Sequence, residues 1–269
     1  MTITRRQAQE LLDRHGLQPS RALGQNFVVD PNTLRRIVRL AGVEEGDHVV
    51  EVGAGLGALT LALAQAGAEV VAVELDRHLI PVLDEVLAGV MPTPTLVQGD
   101  ALELDWPSVL AGAERWHLVA NLPYNVATPV VLDLLDRVPL IDRMVVMVQR
   151  EVGERLAATP GTKAYGIPSV KVAYWAHAEV IGRVAASVFF PKPNVDSVLV
   201  RIERRVEPAT SADFDTLFAL VRAGFGHRRK MLRSSLAGLV DADGFERAGV
   251  ASNLRAEQLT VTDWGRLAQ

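Results

Sequence analysis

Apolar and polar positions change period several times along the chain, and each change predicts an element. Ala8, Leu11, Leu12 and His15 fall at helical spacing, so residues 1–18 predict a helix that stops at Gly16 and Pro19. The polar, glycine-containing stretch SRALGQNFVVD (20–30) predicts a loop. Asp30 before Pro31 reads as an N-cap with proline at the first helical position, opening a helix through Ala41. From residue 48 to 151, short apolar runs alternate with helical patterns. HVVEVGAG (48–55), EVVAVELD (69–76), PTLVQGDA (94–101), WHLVANL (116–122) and RMVVMVQRE (143–151) read as strands. LGALTLALAQAG (56–67), residues 77–89 with Pro81 near the start, and TPVVLDLLD (128–136) with Thr128 as N-cap read as helices.

Strands separated by helices imply βαβ units, hence an α/β fold with a parallel sheet covered on both faces. The nearly all-apolar strands agree with that burial. AEVIGRV (178–184) and SVLVRIER (197–204) predict two further strands, joined by the proline-rich ASVFFPKPNVD (186–196). From residue 213 onward the texture is helical. A boundary near 205–210 follows, with an α/β domain over residues 1–205, including the N-terminal helical extension, and a small α-helical domain over 206–269.

Composition narrows the chemistry. An apolar content of 49% is enough for a full core in a chain of 269 residues. The absence of cysteine excludes disulfides, thiolate zinc sites, iron–sulfur clusters and cysteine nucleophiles, and leaves an intracellular protein as the default. MTITRRQAQELLDRHG carries no apolar core of a signal peptide. The longest apolar stretch, Leu59 to Val73, is broken by Gln65 and Glu69, so no membrane span is expected. The expectation is a cytoplasmic protein. The net charge of −4 hides an uneven distribution: +4 over residues 1–39, −10 over 40–200, +4 over 201–235 and −2 beyond. Two basic ends flank an acidic middle, and binding to a polyanion follows the local field, not the total.

The strand ends carry the candidate chemistry. Glu51-Val52-Gly53-Ala54-Gly55-Leu56-Gly57 sits between a strand and a helix, where glycines allow a tight turn and a close approach of backbone to ligand. Its spacing is neither that of a dinucleotide fold nor that of a phosphate-binding P-loop. Glu74 ends the second strand, where an acid can accept both ribose hydroxyls of a nucleoside. Asp100 ends the third, where it can accept from an exocyclic amine. Each carboxylate taken singly also suits a helix N-cap. Asn121 ends a fourth strand and opens Asn121-Leu122-Pro123-Tyr124, residues poorly suited to continuing it. The row fits S-adenosylmethionine better than a dinucleotide, because nothing cradles a pyrophosphate. Methyl transfer from a sulfonium needs no metal; the hard part is an acceptor such as adenine N6, whose lone pair is delocalised. The Asn121 side-chain oxygen and the Leu122 carbonyl can grip its N–H bonds, Pro123 fixes φ, and Tyr124 offers a face for a flipped base.

These motifs resemble the ribosomal RNA small-subunit adenine-N6,N6-dimethyltransferase family, the KsgA type. Matching pieces run along nearly the whole chain: LGQNFVVD (23–30), EVGAGLGALT (51–60), VAVELD (71–76), QGDALELD (98–105), NLPYNVATP (121–129), QREVGERL (149–156), KAYGIPSV (163–170), FFPKPNVDSVLVRI (189–202) and FGHRRKMLRSSL (225–236). The resemblance implies a Rossmann-like class I methyltransferase sheet with a small C-terminal helical domain. It implies that Asn26, Val28 and Gly55 line the cofactor pocket and that Gly53 contacts the methionine part. Glu74 would take the ribose, Asp100 the adenine amine and Asn121 the reacting region. Phe189 would form a second aromatic wall opposite Tyr124, while Phe190 packs in the core. Arg228, Arg229, Lys230 and Arg233 would dock ribosomal RNA. The implied substrate is 16S RNA in an assembling small subunit, dimethylated at two adjacent adenosines near its 3′ end. Independently of the resemblance, a monomer is the simpler expectation. Leu23, Val28 and the HRRK sequence depart mildly from the usual family pattern, and Val28 supplies less side chain to the pocket. An Erm-type enzyme acting on large-subunit RNA and a non-enzymatic subunit-assembly factor are the competing readings.

Overall fold

The computed structural model describes residues 2–269. They fall into two compact units. One runs through Gly153 and takes in Glu179–Glu203; the other comprises Glu154–Ala178 and Arg204–Gln269.

The strands are β1 (Phe27–Val28), β2 (His48–Val52), β3 (Glu69–Glu74), β4 (Thr95–Gln98), β5 (Trp116–Asn121), β6 (Ile141–Gln149), β7 (Ala176–Val184), β8 (Phe189–Phe190) and β9 (Ser197–Arg204). A seven-stranded sheet has the order β4-β3-β2-β5-β6-β9-β7. The neighbours from β4 through β6 are parallel, and β9 runs antiparallel to β6. Val49, Val50, Val70, Ala72, Leu118, Val119, Val145 and Val146 are all buried, as the apolar runs of a doubly covered sheet require. The chain steps outward from β2 through β3 to β4, then returns to the other flank of β2 as β5. That reversal leaves a crevice beyond the carboxyl ends of β2 and β5. A separate two-stranded ladder pairs β1 with β8, antiparallel, opposing Phe27 to Phe190 and Val28 to Phe189.

Helices α1 (Arg5–Arg14), α2 (Pro31–Ala41), α3 (Ala58–Gln65), α4 (Ile80–Leu87), α5 (Trp106–Val109) and α6 (Ala127–Arg137) belong to this first unit. The expected cap of α2 is present: the Asp30 carboxylate accepts the Thr33 N–H at 2.8 Å and Pro31 begins the helix. Thr128 is not the cap of α6. The Pro123 carbonyl accepts the Val126 N–H at 3.2 Å, so the turn closes there and the helix starts at Ala127. Strand β6 leads directly into α7 (Arg150–Leu156).

The second unit has its own core, built from Tyr165, Val170, Tyr174, Leu217, Phe218, Val221, Phe245 and Trp264. Residues 154–178 were expected with the α/β domain. They belong here because α8 (Ile167–Trp175) brings Tyr174 edge-on to Phe214 and Phe218, on α9 (Phe214–Gly226), and the Tyr165 hydroxyl donates to the Leu259 carbonyl at 2.9 Å. The stretch after α9 is less helical than its pattern predicts. The N–H groups of Leu232 and Arg233 bond to the Leu254 and Ser252 carbonyls, at 2.7 and 2.9 Å, so residues 228–240 keep only Leu232–Ser235 as helix, before the helices Ala242–Ala248 and Val261–Leu267.

Candidate active site

Four adjacent strands end together. In register, Val52 of β2 lies beside Val73 of β3, and Glu74 beside Gln98 of β4. Gly53, Glu74, Asp100 and Asn121 therefore emerge in one row at the crevice, and all four line a single open cleft of about 880 Å³. Gly55, Asn26, Leu122, Pro123 and Tyr124 line it as well.

Two glycines shape the floor. Gly53 and Gly55 have φ of 80° and 60°, in the left-handed region. A Cβ on Gly55 would sit 2.9 Å from the Phe27 ring, and one on Gly53 would sit 3.3 Å from Pro123. Only hydrogen at these positions keeps the loop closed on both neighbours. Glu74 holds the loop from the side: one carboxylate oxygen accepts the Gly55 N–H at 2.8 Å, the other the Asp76 N–H at 2.9 Å. Burial pushes the Glu74 carboxyl up from its ordinary range, against the opposing pull of those two N–H groups. One Asp100 oxygen accepts the Leu102 N–H at 2.9 Å.

The segment 20–28 crosses the cleft and is fastened on both flanks. Gln25 donates to the Asp76 carboxylate at 2.9 Å, and the side-chain amides of Asn121 and Asn125 donate to the carbonyls of Asn26 and Ala22, at 2.9 and 3.2 Å. This sets the orientation of the Asn121 amide. Its N–H₂ is engaged by Asn26, so its oxygen is left as an acceptor. The Leu122 N–H is bound to the Met147 carbonyl of β6 at 3.1 Å, while the Leu122 carbonyl takes no hydrogen bond among the described residues. Two acceptors without donors thus stand at adjacent positions, held by a sheet bond below and a rigid proline above.

Glu51, inside β2, is 1% exposed and accepts the Thr60 hydroxyl at 2.5 Å. Burial pushes its carboxyl up to about 8, reinforced by nearby Glu74. The folded chain keeps this proton where the unfolded chain has released it. Its contribution to stability is complete below pH 4.5 and is lost as pH rises toward about 8, at up to about 1.4 kcal/mol per pH unit. We expect Glu51→Gln, which resembles the protonated acid, to remove this fall. Thermal unfolding midpoints at pH 5.5 and 8 should differ less in the variant than in the parent; equal differences would contradict the assignment.

Two expected pocket residues are more deeply placed than the expectation had them. Val28 is buried, with its neighbour across the ladder being Phe189, and it borders a smaller adjoining cavity that Gly53, Gly55 and Asn121 of the cleft also line. Phe189 is 0% exposed and packs in the main core, so it forms no wall opposite Tyr124. Side chains alternate along a strand, so of the adjacent aromatics it is Phe190 that stays partly exposed, under the Arg5 guanidinium. Sequence reasoning missed Gln25, Asn125 and Leu75, all of which line the cleft. Leu75, a large apolar residue 49% exposed beside Glu74, is marked out by its exposure, which only the structure supplies.

The basic residues separate in the same way. Arg228 is committed internally, to Glu257 at 2.7 Å and to the Lys163 carbonyl at 2.9 Å. Arg229, Lys230 and Arg233 are exposed and their side chains make no hydrogen bond or ion pair among the described residues. Much of the basic N-terminal stretch is also used within the first unit: Arg5 bonds the Ser187 and Phe189 carbonyls, Arg14 pairs with Glu85, and Arg36 bonds the Arg183 carbonyl.

Known proteins resemble this chain in sequence and in fold. A family model described as ribosomal RNA adenine dimethylase matches residues 17–269. A ribosomal RNA small subunit methyltransferase A from Leifsonia xyli subsp. xyli is 52% identical over 270 residues, covering 96% of this chain and 95% of its own. The protein of that name from Streptomyces coelicolor is 47% identical, covering 97% and 93%. Among solved structures, a dimethyladenosine transferase from Plasmodium falciparum superposes with a TM-score of 0.74 at 24% identity, covering 88% of this chain and 94% of its own; that likeness is one of fold. The 23S rRNA methyltransferase ErmE superposes with a TM-score of 0.69 at 25% identity, covering 90% and 98%.

Proposed function

The chain belongs to the ribosomal RNA adenine dimethylase family, and from that premise we propose that it transfers methyl groups from S-adenosylmethionine to N6 of two adjacent adenosines near the 3′ end of 16S RNA during small-subunit assembly. The observation that carries this reading is the row of strand ends, with the Asn121 oxygen and Leu122 carbonyl left open beside it.

The residues present suit the cofactor. Gly53 and Gly55, with no Cβ, let the loop close on Pro123 and Phe27, and all four residues line the cleft. Glu74 retains lone pairs for ribose hydroxyls after its two backbone bonds, and Asp100 keeps one oxygen for an adenine amine. When bound, S-adenosylmethionine supplies an electrophilic methyl group on a sulfonium. Asn121 and Leu122 accept the N–H bonds of the target amine, two in the first transfer and the remaining one in the second, and hold its nitrogen in the attacking orientation; the proton displaced at each transfer passes to solvent. Pro123 stiffens the turn, and Tyr124 offers a stacking surface for the flipped base. Catalysis on this account is positioning plus fixed dipoles, with no covalent intermediate. Asn26 acts through its carbonyl, on Asn121.

Arg229, Lys230 and Arg233 are the RNA-docking residues in this reading, and Arg228 supports them by bracing the loop at Lys163. Charge reversal at the three docking positions should weaken RNA binding and lower the log–log salt slope, by roughly one for each phosphate no longer neutralised. Filter-binding or anisotropy titrations across salt concentrations test this; an unchanged slope would count against docking through these residues. Arg228→Ala should instead lower the unfolding midpoint.

The finer reading is of a monomer working in the cytoplasm. Among the described residues no helix is long and apolar enough to cross a membrane. The likeness to ErmE supports a second reading, an Erm-type target in the large subunit. Relatives at 47–52% identity that are named for the small subunit favour the first. Supplying labelled S-adenosylmethionine with unmethylated small or large subunits separates them: label should enter small subunits, and preferential labelling of large subunits would overturn the proposal.

A further inference from the structure

We infer that Ser197 is a positioning residue for Tyr124, holding the aromatic ring in place before the target base arrives. The inference rests on the reading above in which Tyr124 meets that base.

Ser197 opens β9 and is 0% exposed. The residues that follow it, Val198, Leu199 and Val200, are buried and apolar, as an inner strand beside β6 requires. A hydroxyl at such a position costs stability unless it is hydrogen-bonded, and alanine or valine would fill the space at lower cost. The one side-chain hydrogen bond that Ser197 makes among the described residues is to the Tyr124 hydroxyl, Oγ to Oη, at 2.8 Å. The polar choice at this core position is therefore accounted for by the tyrosine alone.

The serine is itself rigidly placed. Sheet pairing sets it opposite Gln149. The preceding residue is tied on both sides: the Asp196 carbonyl accepts the Arg150 N–H at 3.1 Å, and its carboxylate accepts the Ala186 N–H at 3.0 Å. At the other end of the ring, the backbone of Tyr124 lies in the turn closed by the Pro123–Val126 bond and anchored by Leu122 to Met147. The turn fixes the Cα, which leaves rotation about χ1 and χ2; a partner for the phenol oxygen removes it. Tyr124 lines the cleft while its hydroxyl is turned to β9, so the ring is fastened at both ends. A stacking surface that is already ordered adds less entropic cost when the base docks.

The test compares Ser197→Ala, Tyr124→Phe, their combination and Tyr124→Ala, using unmethylated small subunits as acceptor. Turnover, cofactor affinity by calorimetry and the unfolding midpoint are read for each. Ser197→Ala and Tyr124→Phe should each lower kcat by about 3- to 10-fold, the loss of one ordinary hydrogen bond, with cofactor affinity unchanged. The double variant should be no slower than the slower single, because both remove the same bond. Multiplying effects would overturn the proposal, as would full turnover in Tyr124→Phe, which removes the bond from the cleft side and answers alone should Ser197→Ala fail to fold. If Tyr124→Ala abolishes transfer while Ser197→Ala and Tyr124→Phe leave it intact, positioning fails and the reading of the site survives. If Tyr124→Ala leaves transfer intact, that reading falls with it.

Discussion

Replacing Asn121 by alanine is expected to reduce methyl transfer by a factor of about 10² to 10³, the usual effect of deleting one fixed polar group at a reacting centre. Two losses combine. The open amide oxygen that grips the amine disappears, and so does the donor that fastens the crossing segment through Asn26. Neither touches Glu74 or Asp100, so cofactor affinity should change by no more than a few-fold. The residues proposed to dock RNA sit in the second unit, and small-subunit binding should persist. Single-turnover rates with binding measured separately check this. Near-normal transfer by the variant would remove Asn121 from the mechanism. Persistent subunit binding by an inactive variant would also separate catalysis from any assembly role carried by binding alone.

The second large effect is at the cofactor end. Glu74→Ala should weaken S-adenosylmethionine binding by about 10²-fold or more. Two hydrogen bonds from ribose hydroxyls to a carboxylate disappear, each worth about 1.5 to 3 kcal/mol. The change also strands the N–H groups of Gly55 and Asp76, both of which Glu74 accepts. Glu74→Gln separates the contributions. It keeps one acceptor oxygen for the glycine loop or for Asp76, and should bind more tightly than Glu74→Ala yet less tightly than the parent. Calorimetric titration measures all three. A Glu74→Ala variant with parental affinity would mean the ribose is held elsewhere.

The strand ends were legible in the sequence because each candidate residue stands where an apolar run stops. A glycine, two acids and an asparagine at successive run ends, in a sheet whose order reverses beside β2, converge without any knowledge of side-chain packing. What escaped depended on contacts between distant segments. Phe189 and Phe190 are adjacent, and a two-residue strand is too short to show a period; only its register against Phe27 and Val28 decides which ring is buried. The membership of residues 154–178 was hidden because Thr159, Pro160 and Gly161 break the pattern, and because Tyr165 and Tyr174 find their partners tens of residues away. Arg228 looked equivalent to its neighbours until Glu257 was placed beside it. The crossing segment read as a plain loop, since its order comes from Gln25, Asn121 and Asn125, whose bonds span up to about a hundred residues of chain.

The central claim is that this cleft places adenine N6 of small-subunit RNA against a methyl donor, twice at each of two neighbouring nucleotides. The direct measurement is mass spectrometry of nucleosides and oligonucleotides from unmethylated small subunits after incubation with the protein and labelled S-adenosylmethionine. N6,N6-dimethyladenosine is expected at two adjacent positions near the 3′ end of 16S RNA, accumulating about 10²- to 10³-fold more slowly with Asn121→Ala. Methylation at another atom, at a lone adenosine of 23S RNA, or at an equal rate by the Asn121→Ala variant would contradict the claim.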